Sequence, residues 1–254
     1  MNISHRAFYV WRRNFNVYLA HVGASIVGNI GEPLLYLFCM GLGIGGYIQQ
    51  MGGVSYMQYI APGLIVTSAM YSATIECTFG AFTRLSSQRT YESILATPVS
   101  LEDLAFGEAL WGATKSCISG VTMLIVMTAF GLYTPGPGFF GIMAVVWLTG
   151  MVFAAAALSF SAISPSYEFF NYYFTMAIAP MFFLSGVFFP LDNFPAPFQL
   201  FSQALPATHA AVIIRNLFYG APAPHAWVSV LALMALAVAL VRIATFLIRR
   251  RLIV

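Results

Sequence analysis

The sequence predicts an all-α membrane protein: six transmembrane helices, an N-terminal interfacial amphipathic helix, and re-entrant outer helices before the last span. Three observations predict it. Of 254 residues, 60% are hydrophobic and only 7% are charged, whereas an ordinary soluble domain has about 45–50% and about 25%. Six apolar runs approach the roughly 20 residues that cross a bilayer. Arginines collect at the two chain ends and in one connection. A soluble fold of this size could not cover its surface with so few charges, so most of that surface must face lipid.

The six runs are 22–46, 57–82, 104–132, 138–162, 170–190 and 224–247. Residues 3–18 differ in kind. At 3.6 residues per turn, Ile3, Ala7, Val10, Trp11, Phe15 and Tyr18 share one face, and His5, Arg6, Arg12, Arg13 and Asn16 share the other. That pattern describes a helix lying in the membrane interface, apolar side down and arginines toward anionic headgroups. No short apolar core ends at a small-residue cleavage site, so no cleavable signal peptide is expected.

Orientation follows from the basic residues. Arg6, Arg12 and Arg13 precede the first run, Arg84 and Arg89 lie between the second and third, and Arg242, Arg249, Arg250 and Arg251 close the last. The segments between runs one and two, and three and four, hold no Lys or Arg. The positive-inside rule therefore puts both termini in the cytoplasm. The net charge of +3 reflects these basic ends and points to no nucleic-acid partner. No polar stretch is long enough for a second domain, so residues 1–254 are expected to form a single membrane domain.

Two connections carry local signals. In 84–103, residues 88–96 can form a short helix that ends ahead of Pro98. Ser100 can then cap the next helix, with Asp103 three residues on and Glu102 beside it at the positive helix end. The outer connection, 186–223, is rich in proline yet also carries Phe188, Phe189, Phe194, Phe198 and Phe201. It is too broken to span and too apolar to be a free loop. Short helices dipping back into the outer leaflet are expected there, sheltered by protein.

Chemical centres are missing. The three cysteines (Cys39, Cys77, Cys117) and four histidines (His5, His21, His209, His225) have no metal or disulfide spacing. Gly107 to Ser116 has the glycine spacing of a phosphate loop, but Lys115 does not follow Gly112 directly and the segment sits in an apolar helix. No catalytic residue, metal or cofactor is expected on this chain.

Glu32, Glu76 and Lys115 lie well inside apolar runs. At 1.5 Å per residue they lie about 16, 12 and 16 Å from the cytoplasmic side, in one layer. An ionised side chain at mid-bilayer costs about 2.5–3.5 kcal/mol on insertion scales and is normally turned toward a partner or cavity. Lys115 is therefore expected to neutralise Glu76, Glu32 or both. Glu108, about one turn into its helix, is expected at the interface, and Asp192 and Arg215 as local charges of the outer connection. An aromatic cluster, Tyr167 to Phe174, opens the fifth run. It reads either as an interfacial belt or as a track for sugar rings or acyl chains.

These residues resemble a known family, the type-2 ABC transporter permeases. The likeness rests on the six spans, the amphipathic N-terminal helix, the polar first cytoplasmic loop and the broken outer segment. Several stretches look closest to its nodulation protein J group, which exports lipo-chitooligosaccharides. They are Gly28–Tyr36 with Glu32, Arg89–Asp103, Gly107–Trp111, Leu184–Asp192, Pro206–Ala210 and Arg215.

The resemblance implies a homodimer in a bacterial inner membrane, bound to two separate ABC ATPase subunits that hold ATP and Mg. The cargo would be lipid-linked, a lipo-oligosaccharide or similarly amphipathic. It implies that Arg89, Thr90, Tyr91, Glu92, Leu95, Thr97, Pro98, Glu102 and Asp103 meet the ATPase, with the 3–18 helix alongside. It further implies that Gly186, Phe189, Pro190, Asp192, Pro206, His209 and Arg215 belong to an outer gate. The competing readings are a drug-exporting permease, an ion-driven carrier or channel using Glu32, Glu76 and Lys115 as its relay, and a membrane enzyme acting on lipids or sugars.

Overall fold

The computed structural model describes residues 3–20, 23, 35–48, 50–51, 53–221 and 226–252. The chain is mostly helical. Its main helices are α1 (Ala7–Ala20), α2 (Tyr56–Ile75), α3 (Thr90–Leu95), α4 (Leu101–Ala129), α5 (Gly138–Ile163), α6 (170–184), α7 (Ala196–Ala204), α8 (Pro206–Phe218) and α9 (Ala226–Leu252). Between residues 50 and 55, a two-residue antiparallel pair sets Gln50 against Ser55 and Met51 against Val54.

Among the described residues, three helices are long and apolar enough to cross a membrane: α4, α5 and α9. They match the third, fourth and sixth predicted runs. The first predicted run falls largely outside the described residues. The second becomes α2 extended by two π-helical turns, Glu76–Gly80 and Thr83–Ser87. The fifth becomes α6, which carries its own π turn at Phe174–Ile178. α6 stops short of Pro190 because Gly186 takes a left-handed φ of 73° that ends the helix.

Local chemistry explains the boundaries. α2 opens on a capping box between Ser55 and Gln58, and α4 on one between Ser100 and Asp103. α5 starts after Pro137 and ends at Ser164, ahead of Pro165. α7 and α8 each carry proline in the first turn, where its missing N–H costs nothing.

The core lies between α2, α4 and α5, with α8 and α9 packed against α5. Small residues let these helices approach closely, the usual device where lipid supplies little drive for helix association. A Cβ on Gly112 would lie 2.6 Å from Ala154 Cβ and 2.7 Å from Cys77 Sγ, so α2, α4 and α5 meet at that point.

α1 docks on α4. Gly107 makes room, since a Cβ there would lie 2.6 Å from the Ala7 carbonyl oxygen. Ala7, Val10 and Tyr18 are buried, and Trp11 Nε1 donates to Thr114 Oγ1 at 2.9 Å. Much of the stripe expected to face lipid therefore packs on protein. A helical wheel shows that a face is apolar but not which apolar partner covers it.

Candidate functional site

The connection between α2 and α4 is a packed elbow. Arg89 turns the chain with a left-handed φ of 49°, which starts α3. Tyr91 points inward and is buried with Val10, Leu85 and Leu104, against which Leu95 also packs. Burial pushes the Tyr91 phenol well above its ordinary range, and the Glu108 carboxylate adds to the effect. Glu92, Ser93, Ala96, Thr97 and Pro98 face outward. Thr97 Oγ1 donates back to the Ile94 carbonyl at 2.6 Å and so tightens the helix end, while Thr90 Oγ1 donates to Gln88 Oε1 at 3.3 Å.

Asp103 fastens this elbow to the N-terminus. Its Oδ1 accepts from the Ser4 amide at 2.6 Å, and its Oδ2 accepts from Ser4 Oγ at 3.0 Å and from the Ser100 amide at 3.2 Å. The Arg6 guanidinium donates to the Pro98 carbonyl. One carboxylate thus caps α4 and clasps the start of α1. Glu102 is half-buried beside it. Asp103→Ala is expected to remove about 1–2 kcal/mol through the lost cap. It should also speed trypsin cleavage at Arg6, Arg12 and Arg13 relative to the unaltered protein.

A chain of charges runs between α1, α2 and α4. Arg84 Nη1 lies 3.0 Å from Glu76 Oε1, Arg84 Nη2 lies 2.7 Å from Glu108 Oε2, and Lys115 Nζ lies 3.7 Å from Glu76 Oε2. Asn14 Nδ2 donates to Glu108 Oε1 at 3.0 Å, and Arg13 Nη1 donates to Asn14 Oδ1 at 3.0 Å. Lys115 also sits over the Tyr18 ring, 4.6 Å from its centroid. The first π turn helps, because Gly80 leaves the bridge unobstructed: a Cβ there would lie 2.8 Å from Glu76 Oε1. A cavity of about 320 Å³ opens beside this chain, lined in part by Arg13, Glu76, Arg84 and Lys115.

Two of these placements depart from the sequence reading. Glu108, expected at the interface, is fully buried. Arg84, read only as a loop charge, is the hub between two carboxylates. Residues eight apart on a regular α-helix do not face each other, so the sequence held no signal for the Glu76–Arg84 pair. Glu32 lies outside the described residues. Arg12 is exposed, and Phe15 stacks on Trp11 and meets the edge of Trp111.

A ladder of aromatic rings joins α6 to α2. Tyr167 stacks on Phe79 (centroids 6.3 Å apart), Phe79 on Phe174 (6.0 Å) and Phe174 on Tyr71 (6.3 Å), and Tyr71 meets Phe182 edge-on at 5.8 Å. Phe79 and Tyr167 keep one side exposed. The Tyr167 hydroxyl is within 2.8 Å of Thr83 Oγ1 and 3.2 Å of Ser87 Oγ, which pins the foot of the ladder to the elbow.

In the segment 186–219, Arg215 Nη2 donates to the Gly186 carbonyl at 2.9 Å and stacks over the Tyr59 ring at 4.3 Å. Arg215 is therefore a tie between α8, α2 and the end of α6. His209 Nδ1 lies 3.0 Å from Ser229 Oγ, joining α8 to α9. Pro206 is buried, Pro190 half-buried, and Phe189 and Asp192 exposed. The Asp192 carbonyl accepts from Gln199 Nε2 at 3.4 Å.

The apolar spans are those of a membrane protein, and the chain belongs to the ABC-2 type transporter family, whose model matches residues 5–219. Among curated proteins, it is 40% identical to Nodulation protein J of Rhizobium meliloti (strain 1021) over 243 residues, covering 96% of this chain and 92% of that one. Nodulation protein J of Rhizobium leguminosarum bv. trifolii matches at 40% over the same shares. The inner membrane transport permease YadH of Escherichia coli (strain K12) is 26% identical over 83% of this chain and 82% of its own.

Proposed function

We propose that the chain is the membrane subunit of an ATP-driven exporter that moves a lipid-linked or lipo-oligosaccharide cargo across a bacterial inner membrane. It would work as a single six-span domain, with α1 in the membrane interface, both termini cytoplasmic and the outer helices re-entrant. Two copies would bind two ABC ATPase subunits, which hold the ATP and Mg.

The elbow is the observation that carries this reading. It offers a polar outer face (Glu92, Thr97, Pro98) for a partner. Its inner face is locked to α1 and α4 through Tyr91 and Asp103. A push on such a rigid element moves the attached helices as a body. Residues Arg89 to Asp103 are therefore the proposed ATPase-docking segment, and Gly186 to Tyr219 the cap over the exit.

The resemblance to the nodulation protein J group supports the cargo class, and so does the aromatic ladder. Flat ring faces suit sugar rings and acyl chains, with little demand for matched hydrogen bonds. The charge chain favours a structural role over an ion relay, because among the described residues Glu76 and Glu108 already hold basic partners.

The test is co-purification from detergent with a neighbouring-gene ABC ATPase, then ATP hydrolysis by the reconstituted complex and by its Glu92→Arg variant. Complex formation, with assembly or coupling lost in the variant, is expected. A pure chain that binds no ATPase and moves solute along an ion gradient would refute the exporter.

A further inference from the structure

A second cavity lies on the opposite flank of the bundle, between α4, α5 and α9. It is a groove of about 380 Å³, within the range of about 300–1,000 Å³ typical of ligand pockets. Buried Met151, Ala237 and Val241 form its floor, and Phe106 and exposed Trp147 form its walls. On α9 its residues recur at 234, 237, 238, 241 and 242. That stripe makes the groove run along the helix for about 12 Å.

Among the described residues, Arg242 is the one cation on this lining and no lining residue is acidic. Among the described residues no carboxylate forms an ion pair with it. Arg249, Arg250 and Arg251 follow at the end of α9, the level expected of lipid headgroups. Arg242 is about 10 Å deeper than Arg249. An unpaired arginine at that depth is costly unless it reaches an anion by extending toward the headgroup layer.

We infer that this groove holds one acyl chain of an anionic phospholipid from the leaflet on the arginine-rich side, with its phosphate on Arg242. The lining is apolar where a chain would lie and cationic where a headgroup would sit, and the surrounding helices belong to a membrane protein. A zwitterionic lipid would carry its own ammonium to the same place and gain less. Ala237 is the space-determining position, since its small side chain leaves the floor open.

The experiment reconstitutes the full chain in vesicles containing phosphatidylglycerol or phosphatidylcholine with a photoactivatable acyl chain, and maps the labelled peptides. Labelling of peptides containing Met151 and Ala237 is expected from the phosphatidylglycerol probe, competed by unlabelled phosphatidylglycerol and not by phosphatidylcholine. Arg242→Gln should lower it about fivefold, the worth of one basic residue at an anionic surface. Arg242→Lys should largely preserve it, and Ala237→Trp should abolish it with Arg242 intact.

Equal labelling by the two probes, or full labelling of Arg242→Gln, would overturn the inference. So would unlabelled groove peptides together with a cross-link from a photoreactive residue at Val238 to a second copy of the chain or another protein. Arg242 is exposed, so its replacement leaves the packing intact, and comparison of the two probes on the unaltered protein needs no variant.

Discussion

Glu108→Ala should lower the stability of the folded chain by about 3–5 kcal/mol, the usual effect of removing one partner from a buried ion pair. Glu108 is fully buried, and its partner Arg84 is only 13% exposed. Without Glu108, Arg84 keeps only Glu76, which Lys115 also engages at 3.7 Å. Asn14 loses its acceptor at the same time, loosening α1. Thermal unfolding in detergent would measure the loss.

The same physics sets the rescue. Replacing both members, Glu108→Leu with Arg84→Met, removes the stranded charge along with its partner. Such double replacements are often neutral, so the pair should recover most of the stability lost in Glu108→Ala. A double-mutant cycle built on these positions should give a coupling of about 2 kcal/mol or more. A near-additive cycle would show that the bridge contributes little.

Gly150→Leu is the second large effect. A Cβ on Gly150 would lie 2.6 Å from Ser116 Oγ and 2.8 Å from Ala113 Cα, the latter a backbone atom that cannot swing away. Even alanine would gain only about 1 kcal/mol of helix propensity, against an overpacking cost of about 1–3 kcal/mol. Leucine adds a whole side chain at the crossing of α4 and α5, and a loss of about 3 kcal/mol or more is expected. Ser116 would also lose its bond to the Ala69 carbonyl, now 2.7 Å, which ties α4 to α2. Gly43→Ala is the control, because nothing lies within 4 Å of a Cβ there. Melting temperatures of the two variants should separate clearly.

The sequence by itself determined that this is a helical membrane protein, where three of its long apolar helices run, and how α4 begins. These are local or compositional properties. Hydropathy sets what can face lipid, and Ser100 and Asp103 make a capping box from residues three apart. The family was legible too, because its motifs are contiguous stretches.

Only the tertiary structure decided which charges meet and which apolar face is covered. Glu108 looked interfacial because depth along one helix ignores the helix beside it; α1 closes over it and buries it. Arg84 looked like a loop charge because two π turns that prolong α2 leave no mark in hydropathy. Asp103 reached Ser4 across 99 positions of sequence, and the aromatic ladder joined α2 to α6 through rings far apart in the chain. Such pairings depend on helix rotation and crossing, which close-packed glycines set, and no periodicity within a single helix records them.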